Sequence, residues 1–502
     1  MTVTAADVIQ SVDWQAIAPP ALTALAGLLV LVADLFLDER RRPLLGWFAT
    51  GALAVALLTL LPLAGADRST FCLTTDPALC SYTADSFALA LQLLVLGGAL
   101  VTALLSITTV RDSALPAGEY WFLLLSSAAG AALLPAARDL ATLIIALEVA
   151  SLPAFALVAL RRGDRKGSEA ALKFFLSSVV ATAVTLMGVS FVYATTGSLH
   201  LAAIADGLAD VDPALSTLAT AGVALTLVGF AFKTAVVPFH FWVPDTYVGA
   251  PVPVAAYLSV IGKAVGFGGL ILVTVHAFPA YSGTWGPALA VLAALTMTAG
   301  NVAALRQRPD ADRSAVRLLA WSSVAQAGYL IVPIAAAATA DDPQRAVGAT
   351  VVYALMYAVV NLGAFAVVAH VGRRAQDNRV TDYRGLYAAH PVAALALGFF
   401  LLCLAGLPPG VIGLFAKVTV FAAAVDGGLG WLAAVMAANV AIALVYYLKW
   451  TALLFRPAPE PAPARQPFTV PLTCALALTA ALAVATSGAP QLLLRFVNVT
   501  LL

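Results

Sequence analysis

The sequence predicts an all-α, polytopic membrane protein of about fourteen transmembrane helices. Three observations lead there. Charged residues are 11% of the 502 positions and hydrophobic residues 62%, whereas a soluble domain carries about 25% charged residues. Apolar runs long enough to cross a hydrocarbon core of about 30 Å recur along the whole chain. These runs are apolar on both sides, as helices in lipid are, while barrel strands would be about half as long and alternate in polarity.

The spans fall near 15–37, 43–64, 85–109, 119–136, 139–161, 168–196, 215–238, 251–276, 284–305, 317–339, 343–371, 391–424, 429–455 and 468–495. They leave no room for a soluble domain. The first 14 residues hold neither Lys nor Arg, so they lack the basic start of a cleavable signal and the first span is expected to persist as a helix. Positive residues sort by loop. Eighteen lie in one alternating set of loops: Arg40, Arg41, Arg42, Arg111, Arg161, Arg162, Arg165, Lys166, Arg306, Arg308, Arg313, Arg317, Arg373, Arg374, Arg379, Arg384, Arg456 and Arg465. The opposite set holds Arg68, Arg138, Arg345 and Arg495. The positive-inside rule therefore puts the rich set in the cytoplasm and both termini outside, and an even helix count agrees.

The four cysteines show no metal-type spacing. Cys403 and Cys474 fall in apolar spans, where a small buried thiol is the plain expectation. Cys72 and Cys80 lie in the outward loop 71–82, where an oxidising compartment permits a disulfide.

Five of the 27 basic residues lie inside spans, and all five are lysine: Lys173, Lys233, Lys263, Lys417 and Lys449. A desolvated lysine can release its proton near neutral pH, whereas arginine effectively cannot. A charge at the bilayer centre costs at least about 2.5 kcal/mol on insertion scales, so central lysines point to function. Lys233, Lys263 and Lys417 sit too centrally to snorkel comfortably; Lys173 and Lys449 lie nearer helix ends and stand as auxiliaries. Glu148 is the acid set deepest in a span, within Leu147-Glu148-Val149-Ala150-Ser151-Leu152-Pro153, and needs a cation or a proton there.

Gly229-Phe230-Ala231-Phe232-Lys233 and Gly413-Leu414-Phe415-Ala416-Lys417 are both G-x-x-x-K with apolar filling, 184 residues apart, and Lys263 and Lys449 are 186 apart. A near-constant offset suggests two five-helix repeats, and an odd number of helices inverts the second. The expected organisation is 1–112 for helices 1–3, 113–277 for the first repeat (helices 4–8), 278–456 for the second (helices 9–13), and 457–502 for a linker and helix 14. Pro238 and Gly406-Leu407-Pro408-Pro409-Gly410 lie beside the two lysines and predict breaks in helices 7 and 12, the setting in which inverted-repeat transporters place ion sites. Ser322, Ser323, Gln326, Tyr329, Tyr353, Tyr357 and Asn361 could form a wet path between them. His240 and Asp245, in Pro238-Phe239-His240-Phe241-Trp242-Val243-Pro244-Asp245, lead toward the basic side, and the stretch 456–467 reads as a stiff proline-rich linker.

These motifs carry a resemblance. The stretch from Phe232-Lys233 through Asp245, then Gly249-Ala250-Pro251 and Lys263-Ala264-Val265-Gly266, is similar to the subunit N family of bacterial NADH:quinone oxidoreductase, respiratory complex I. Leu147-Glu148, Leu172-Lys173-Phe174-Phe175-Leu176, Gly300-Asn301, Ser322 through Tyr329 and Gly406-Leu407-Pro408-Pro409 extend the likeness over nearly the whole chain. It implies a proton channel with Glu148 and Lys233 as the input pair, Lys263 as central relay and Lys417 as exit-side base. It also implies no cofactor on this chain, with FMN, iron-sulfur clusters and quinone in partner subunits of the membrane-bound complex. The partners implied are other membrane-arm subunits, antiporter-like and small, with no nucleic acid, in the bacterial plasma (inner) membrane. The sequence departs from the family pattern at Gln326, where relatives usually carry His, and at Ala416-Lys417, where Gly-Lys is common. Two other functions use the same residues: a subunit of a multisubunit cation/proton antiporter, and a structural membrane scaffold whose lysines form fixed ion pairs.

Overall fold

The computed structural model describes residues 12–161, 163–457 and 467–497; Arg162, Arg465 and most of the proline-rich linker lie outside the described residues. Helices α1 (Trp14–Asp34) and α2 (Pro43–Leu58) are followed by strands β1 (Arg68–Cys72) and β2 (Cys80–Ala84), then α3 (Ser86–Asp112), α4 (Ala117–Leu133), α5 (Leu140–Ala159), α6 (Arg165–Thr196) and the short α7 (Leu201–Ala209). Next come α8 (Ser216–Thr234), α9 (Trp242–Gly249), α10 (Val252–Ile271), α11 (Ser282–Leu305), α12 (Ser314–Ala336) and α13 (Pro343–Gly372). The chain closes with α14 (Leu386–Ala389), α15 (Pro391–Ala405), α16 (Val411–Asp426), α17 (Gly430–Leu454), α18 (Val470–Gly488) and α19 (Gln491–Leu494). Thirteen helical segments among the described residues are long and apolar enough to cross a membrane, and α15 with α16, of 15 and 16 residues, makes the fourteenth expected crossing from two shorter helices.

The spans form helices because an uninterrupted backbone in hydrocarbon has to satisfy its own N–H and C=O groups. Their ends are set by local chemistry: the carboxylates of Asp13, Asp85, Asp139 and Asp164 accept from the first-turn N–H groups of α1, α3, α5 and α6. Two spans are interrupted where proline withholds a donor. Helix α8 stops at Thr234, with Ala235 in the left-handed region at φ 63° and Val237–Pro238 before α9. Helix α15 stops at Gly406, whose φ of 83° suits glycine, ahead of Pro408–Pro409. Both expected breaks are present, but the two G-x-x-x-K lysines stand on opposite sides of them. Lys233 precedes its break, in the last turn of α8, and Lys417 follows its own, within α16.

The all-α expectation omits one element. Strands β1 and β2 pair antiparallel, Arg68 opposite Ala84 and Cys72 opposite Cys80, and the two cysteines are disulfide-bonded. The hairpin is tied to the bundle by Tyr82, whose hydroxyl donates to the Ala16 carbonyl (3.1 Å), and by an Arg68–Asp13 ion pair at 2.7 Å. That guanidinium holds the Asp13 carboxyl below the usual range.

Helices α10, α12 and α13 form the centre, with 94% of their membrane windows buried, against 33% for α1's neighbour α2 and for α6, α17 and α18. Small residues let the helices close in. A Cβ at Gly266 would stand 2.6 Å from the Thr234 nitrogen, and one at Gly413 would collide with the Cys403 carbonyl. The loops sort onto two faces. On one, ion pairs join Arg373 to Asp112 (2.9 Å), Arg379 to Asp312 (2.6 Å), Arg317 to Asp245 (3.4 Å) and Arg313 to Asp164 (3.7 Å). The arginine-poor face holds the hairpin, the Arg138–Asp85 pair and the contact of Gly348 with residues 496–497. Alternate loops thus share a face, as alternate crossings require.

Iodoacetamide is expected to modify Cys72 and Cys80 only after reduction; peptide mass spectrometry showing both hairpin thiols alkylated beforehand would contradict the bridge. Gly413→Val should cost about 1–3 kcal/mol through overpacking, read as a lower thermal midpoint of the purified chain; an unchanged midpoint would contradict the close packing.

Candidate functional site

Lys233, Lys263 and Lys417 are 3%, 1% and 4% exposed, so each ammonium group relies on the protein for its partners. None has a carboxylate within 4 Å among the described residues. Lys233 Nζ donates to the Ser151 hydroxyl at 2.6 Å and lies 5.9 and 5.6 Å from the ring centroids of Phe155 and Phe174, a cation–π cradle. Glu148 stands one helical turn before Ser151 on α5 and shares its side. Its carboxylate accepts from the Thr182 hydroxyl of α6 at 2.6 Å. The Ser151 hydroxyl in turn donates to the Leu147 carbonyl, so Glu148 and Lys233 have separate hydroxyl partners and no direct ion pair.

Beyond Lys233 a cavity of about 10 Å³ is lined by Ser127, Lys233, Tyr257 and Gly262, on the order of the space one water needs. Tyr257 donates to the Ser127 hydroxyl (2.8 Å), which donates to the Ala150 carbonyl (2.6 Å). Lys263, midway along α10, donates to the Ser323 carbonyl of α12. The hydroxyls of Tyr247 and Tyr357 flank that of Ser323, and all three are buried without meeting hydrogen-bond geometry, an arrangement that a bridging water satisfies.

From Ser323 the polar path continues along α12. Ser322 shares a hydrogen bond with Tyr447 of α17, Gln326 Nε2 donates to Tyr447 at 3.2 Å, and Tyr353 of α13 donates to Gln326 Oε1. Tyr446 donates to Asn301 (3.0 Å), which donates to Asn439 (3.0 Å). Tyr329 donates to the Met436 carbonyl at 3.3 Å, and its ring lies 5.7 Å from Lys417 Nζ. Lys417 Nζ donates to the carbonyls of Leu404 (2.9 Å) and Ala405 (2.7 Å), the orphan acceptors at the negative end of α15. A cavity of about 380 Å³ on the arginine-poor face is lined by Asp341, Asp342, Arg345, Thr419 and Asp426; Thr419, two residues after Lys417 in α16, turns to the other side of the helix.

The other residues singled out in the sequence lie elsewhere. Lys173 is exposed and pairs with Glu169 (2.7 Å) and Asp245 (3.1 Å), and Asp245 also meets Arg317. Lys449 is exposed on α17. His240 is half-buried, 5.7 Å from the Trp321 ring. Sequence reasoning missed Ser151 as the Lys233 partner, and Tyr446, Tyr447, Asn301 and Asn439. The adjacent tyrosines in an otherwise apolar span were the available signal.

Fourteen crossings, two of them interrupted beside buried lysines, define an antiporter-like membrane protein, and the comparisons with known proteins agree. Residues 137–443 match the family described as NADH:quinone oxidoreductase/Mrp antiporter, TM. The chain is 75% identical, over 91% of its length and 85% of the relative's, to NADH-quinone oxidoreductase subunit N 2 of Streptomyces griseus subsp. griseus. It is 46% identical, over 90% and 88%, to NADH-quinone oxidoreductase subunit N of Salinispora tropica. A chain of respiratory complex I from Thermus thermophilus superposes with a TM-score of 0.77 at 31% identity, covering 95% of this chain and 98% of that one. A chain of the Mrp complex from Dietzia sp. matches in fold, with a TM-score of 0.77 at 22% identity over 96% of each. The chain belongs to the subunit N family of NADH-quinone oxidoreductase, respiratory complex I.

Ser151→Ala leaves the Lys233 ammonium buried without its hydroxyl acceptor, a loss of about 1–3 kcal/mol. A reduced thermal midpoint, restored in Ser151→Thr, is expected; equal midpoints in all three proteins would remove Ser151 as the partner.

Proposed function

We propose that this chain is a proton-translocating membrane-arm subunit of NADH:quinone oxidoreductase. Protons pass through Glu148, Lys233, Lys263 and Lys417 with bound water and hydroxyls between them, driven by redox chemistry in other subunits. FMN, iron-sulfur clusters and quinone belong to those partners, and the neighbours in the bilayer are other membrane-arm subunits. Helices 4–8 and 9–13 act as the two halves of the path.

The observation that carries the proposal is the neutrality of the lysine partners. An ammonium locked to a buried carboxylate cannot lose its proton without stranding the acid, at a cost of about 3–5 kcal/mol. Ser151, the Ser323 carbonyl and the α15 carbonyls leave no such charge behind when the amine is neutral. Lysines that can alternate between ammonium and amine are relays. The same geometry disfavours the scaffold reading, which needs fixed ion pairs.

Gln326 cannot cycle a proton at its amide as an imidazole does. Between Lys263 and Lys417 the hydroxyls of Tyr353, Tyr447 and Ser322 take that part, with Gln326 orienting two of them. Lys417, held by the carbonyls that end α15, is the last buried lysine along this path and stands as the exit-side base. The arginine-poor loops face the exterior, with both termini there. The arginine distribution supports this orientation, as does a disulfide on that face, because disulfides persist in oxidising compartments. The high identity to proteins named NADH-quinone oxidoreductase subunit N favours this function over a cation/proton antiporter subunit.

In assembled complexes, Lys263→Met or Lys417→Met should lower proton uptake per NADH oxidised in inverted vesicles, and Glu148→Gln should impair it. A relay group that acts as general acid and base contributes about 10²-fold or more to its step. Normal stoichiometry in all three variants would overturn the proposal. Tyr447→Phe should slow pumping while Gln326→His preserves or raises it; indifference to both would exclude the hydroxyl path.

A further inference from the structure

We propose that a cavity among the loops of the arginine-rich face is a binding site for a phosphate-type oxyanion. The cavity, about 360 Å³, is lined by Arg161, Arg313 and Arg373 together with Asp112, Ser113 and Tyr247. It gathers the ends of α3 and α13, the α5–α6 and α11–α12 loops, and the α9–α10 junction. These segments are far apart in sequence and converge at this cavity.

The local charges do not balance. Asp112 Oδ1 accepts from Arg111 (3.0 Å) and its Oδ2 accepts from Arg373 Nε (2.9 Å). Asp164 Oδ2 lies 3.7 Å from both Arg161 and Arg313, while its Oδ1 caps the first turn of α6. Four guanidinium groups thus share two carboxylates that are already occupied. Arg313 turns one nitrogen to the Val248 carbonyl, and Arg373 Nη1 is buried without a hydrogen-bond partner. A buried guanidinium N–H without an acceptor is costly. Burial and the facing charge of Arg313 also hold Arg161 below the usual arginine range.

A tetrahedral oxyanion answers each of these conditions. It brings two negative charges or one to a site with an excess of positive charge, and it offers several acceptors to forked donors that match phosphate geometry. Carboxylic metabolites would supply fewer acceptors to three arginines approaching from different segments. The same phosphate chemistry is available from inorganic phosphate in the aqueous phase and from the headgroup of an anionic lipid. Bound there, the oxyanion would clasp four loops and a helix junction whose arginines otherwise repel one another.

The test uses the full chain in phosphatidylcholine nanodiscs, titrated with radiolabelled inorganic phosphate at constant ionic strength. Saturable binding that unlabelled phosphate displaces and chloride does not is expected. Arg373→Gln or Arg161→Gln should weaken it about tenfold, the loss of roughly one charge-assisted hydrogen bond. Absence of phosphate binding, together with a thermal midpoint that rises when phosphatidylglycerol is included and fails to rise in those variants, would assign the site to a lipid headgroup. If neither probe acts, if chloride acts equally, or if both variants bind as wild type does, the site is overturned. Should the variants fail to fold, phenylglyoxal modification of the wild-type protein decides: phosphate or phosphatidylglycerol should protect Arg373, and unchanged modification with both would overturn the proposal.

Discussion

A lysine ammonium in a hydrocarbon slab has to find acceptors within the protein, and much of this fold is arranged around that requirement. Along a regular helix the carbonyls each accept one backbone bond already, leaving only a spare lone pair such as the one Lys263 uses on Ser323 of α12. Interrupting a helix frees them. At the end of α15 the last carbonyls turn to Lys417, and the glycine that allows the turn also leaves room for the lysine stem, since a Cβ at Gly406 would sit 3.0 Å from the Lys417 Cδ. At α8 the interruption follows the lysine, whose partner is a hydroxyl from the neighbouring helix. Two different solutions meet the same demand, each beside a break.

The centre of the bundle follows from the same constraint. Helices α10, α12 and α13 are enclosed by others, which is where polar side chains can be gathered without facing lipid. Serines, tyrosines and amides on facing helices hydrogen-bond to one another there, as Ser322, Tyr447, Gln326 and Tyr353 do, while the hydroxyls of Ser323, Tyr247 and Tyr357 are left for water. The outer helices carry apolar side chains toward the surroundings, as Leu172, Leu176 and Val180 do on α6. Charges that remain at the periphery, such as Lys173, are paired near a helix end.

Much of this was legible in the sequence. Span length and two-sided hydrophobicity located the fourteen crossings, and Pro238 and Pro408-Pro409 marked the breaks, because proline's missing donor is a local property. The burial of Lys233, Lys263 and Lys417 was legible for a similar reason: their distance from span ends is a count along the chain. Their partners were not. Ser151 meets Lys233 because α5 and α8 pack at a particular rotation, and a G-x-x-x-K spacing carries no information about that rotation. Nor does it tell whether the partner is a hydroxyl, as for Lys233, or a pair of freed carbonyls, as for Lys417. Tyr447 contributes to the path only because α17 lies across α12. The hairpin was hidden because a short strand pair in a loop has little periodicity, although its cysteines pointed to a covalent link.

The close glycine contacts have a genetic consequence. At Gly130, Gly266, Gly300 and Gly413 a Cβ would run into the backbone of an adjoining segment, so missense changes at those codons all lower stability by the same route, whatever residue replaces glycine. A selection for unstable alleles will therefore recover these glycine codons whichever missense change strikes them, and the amount of the protein in the membrane is the readout that scores them.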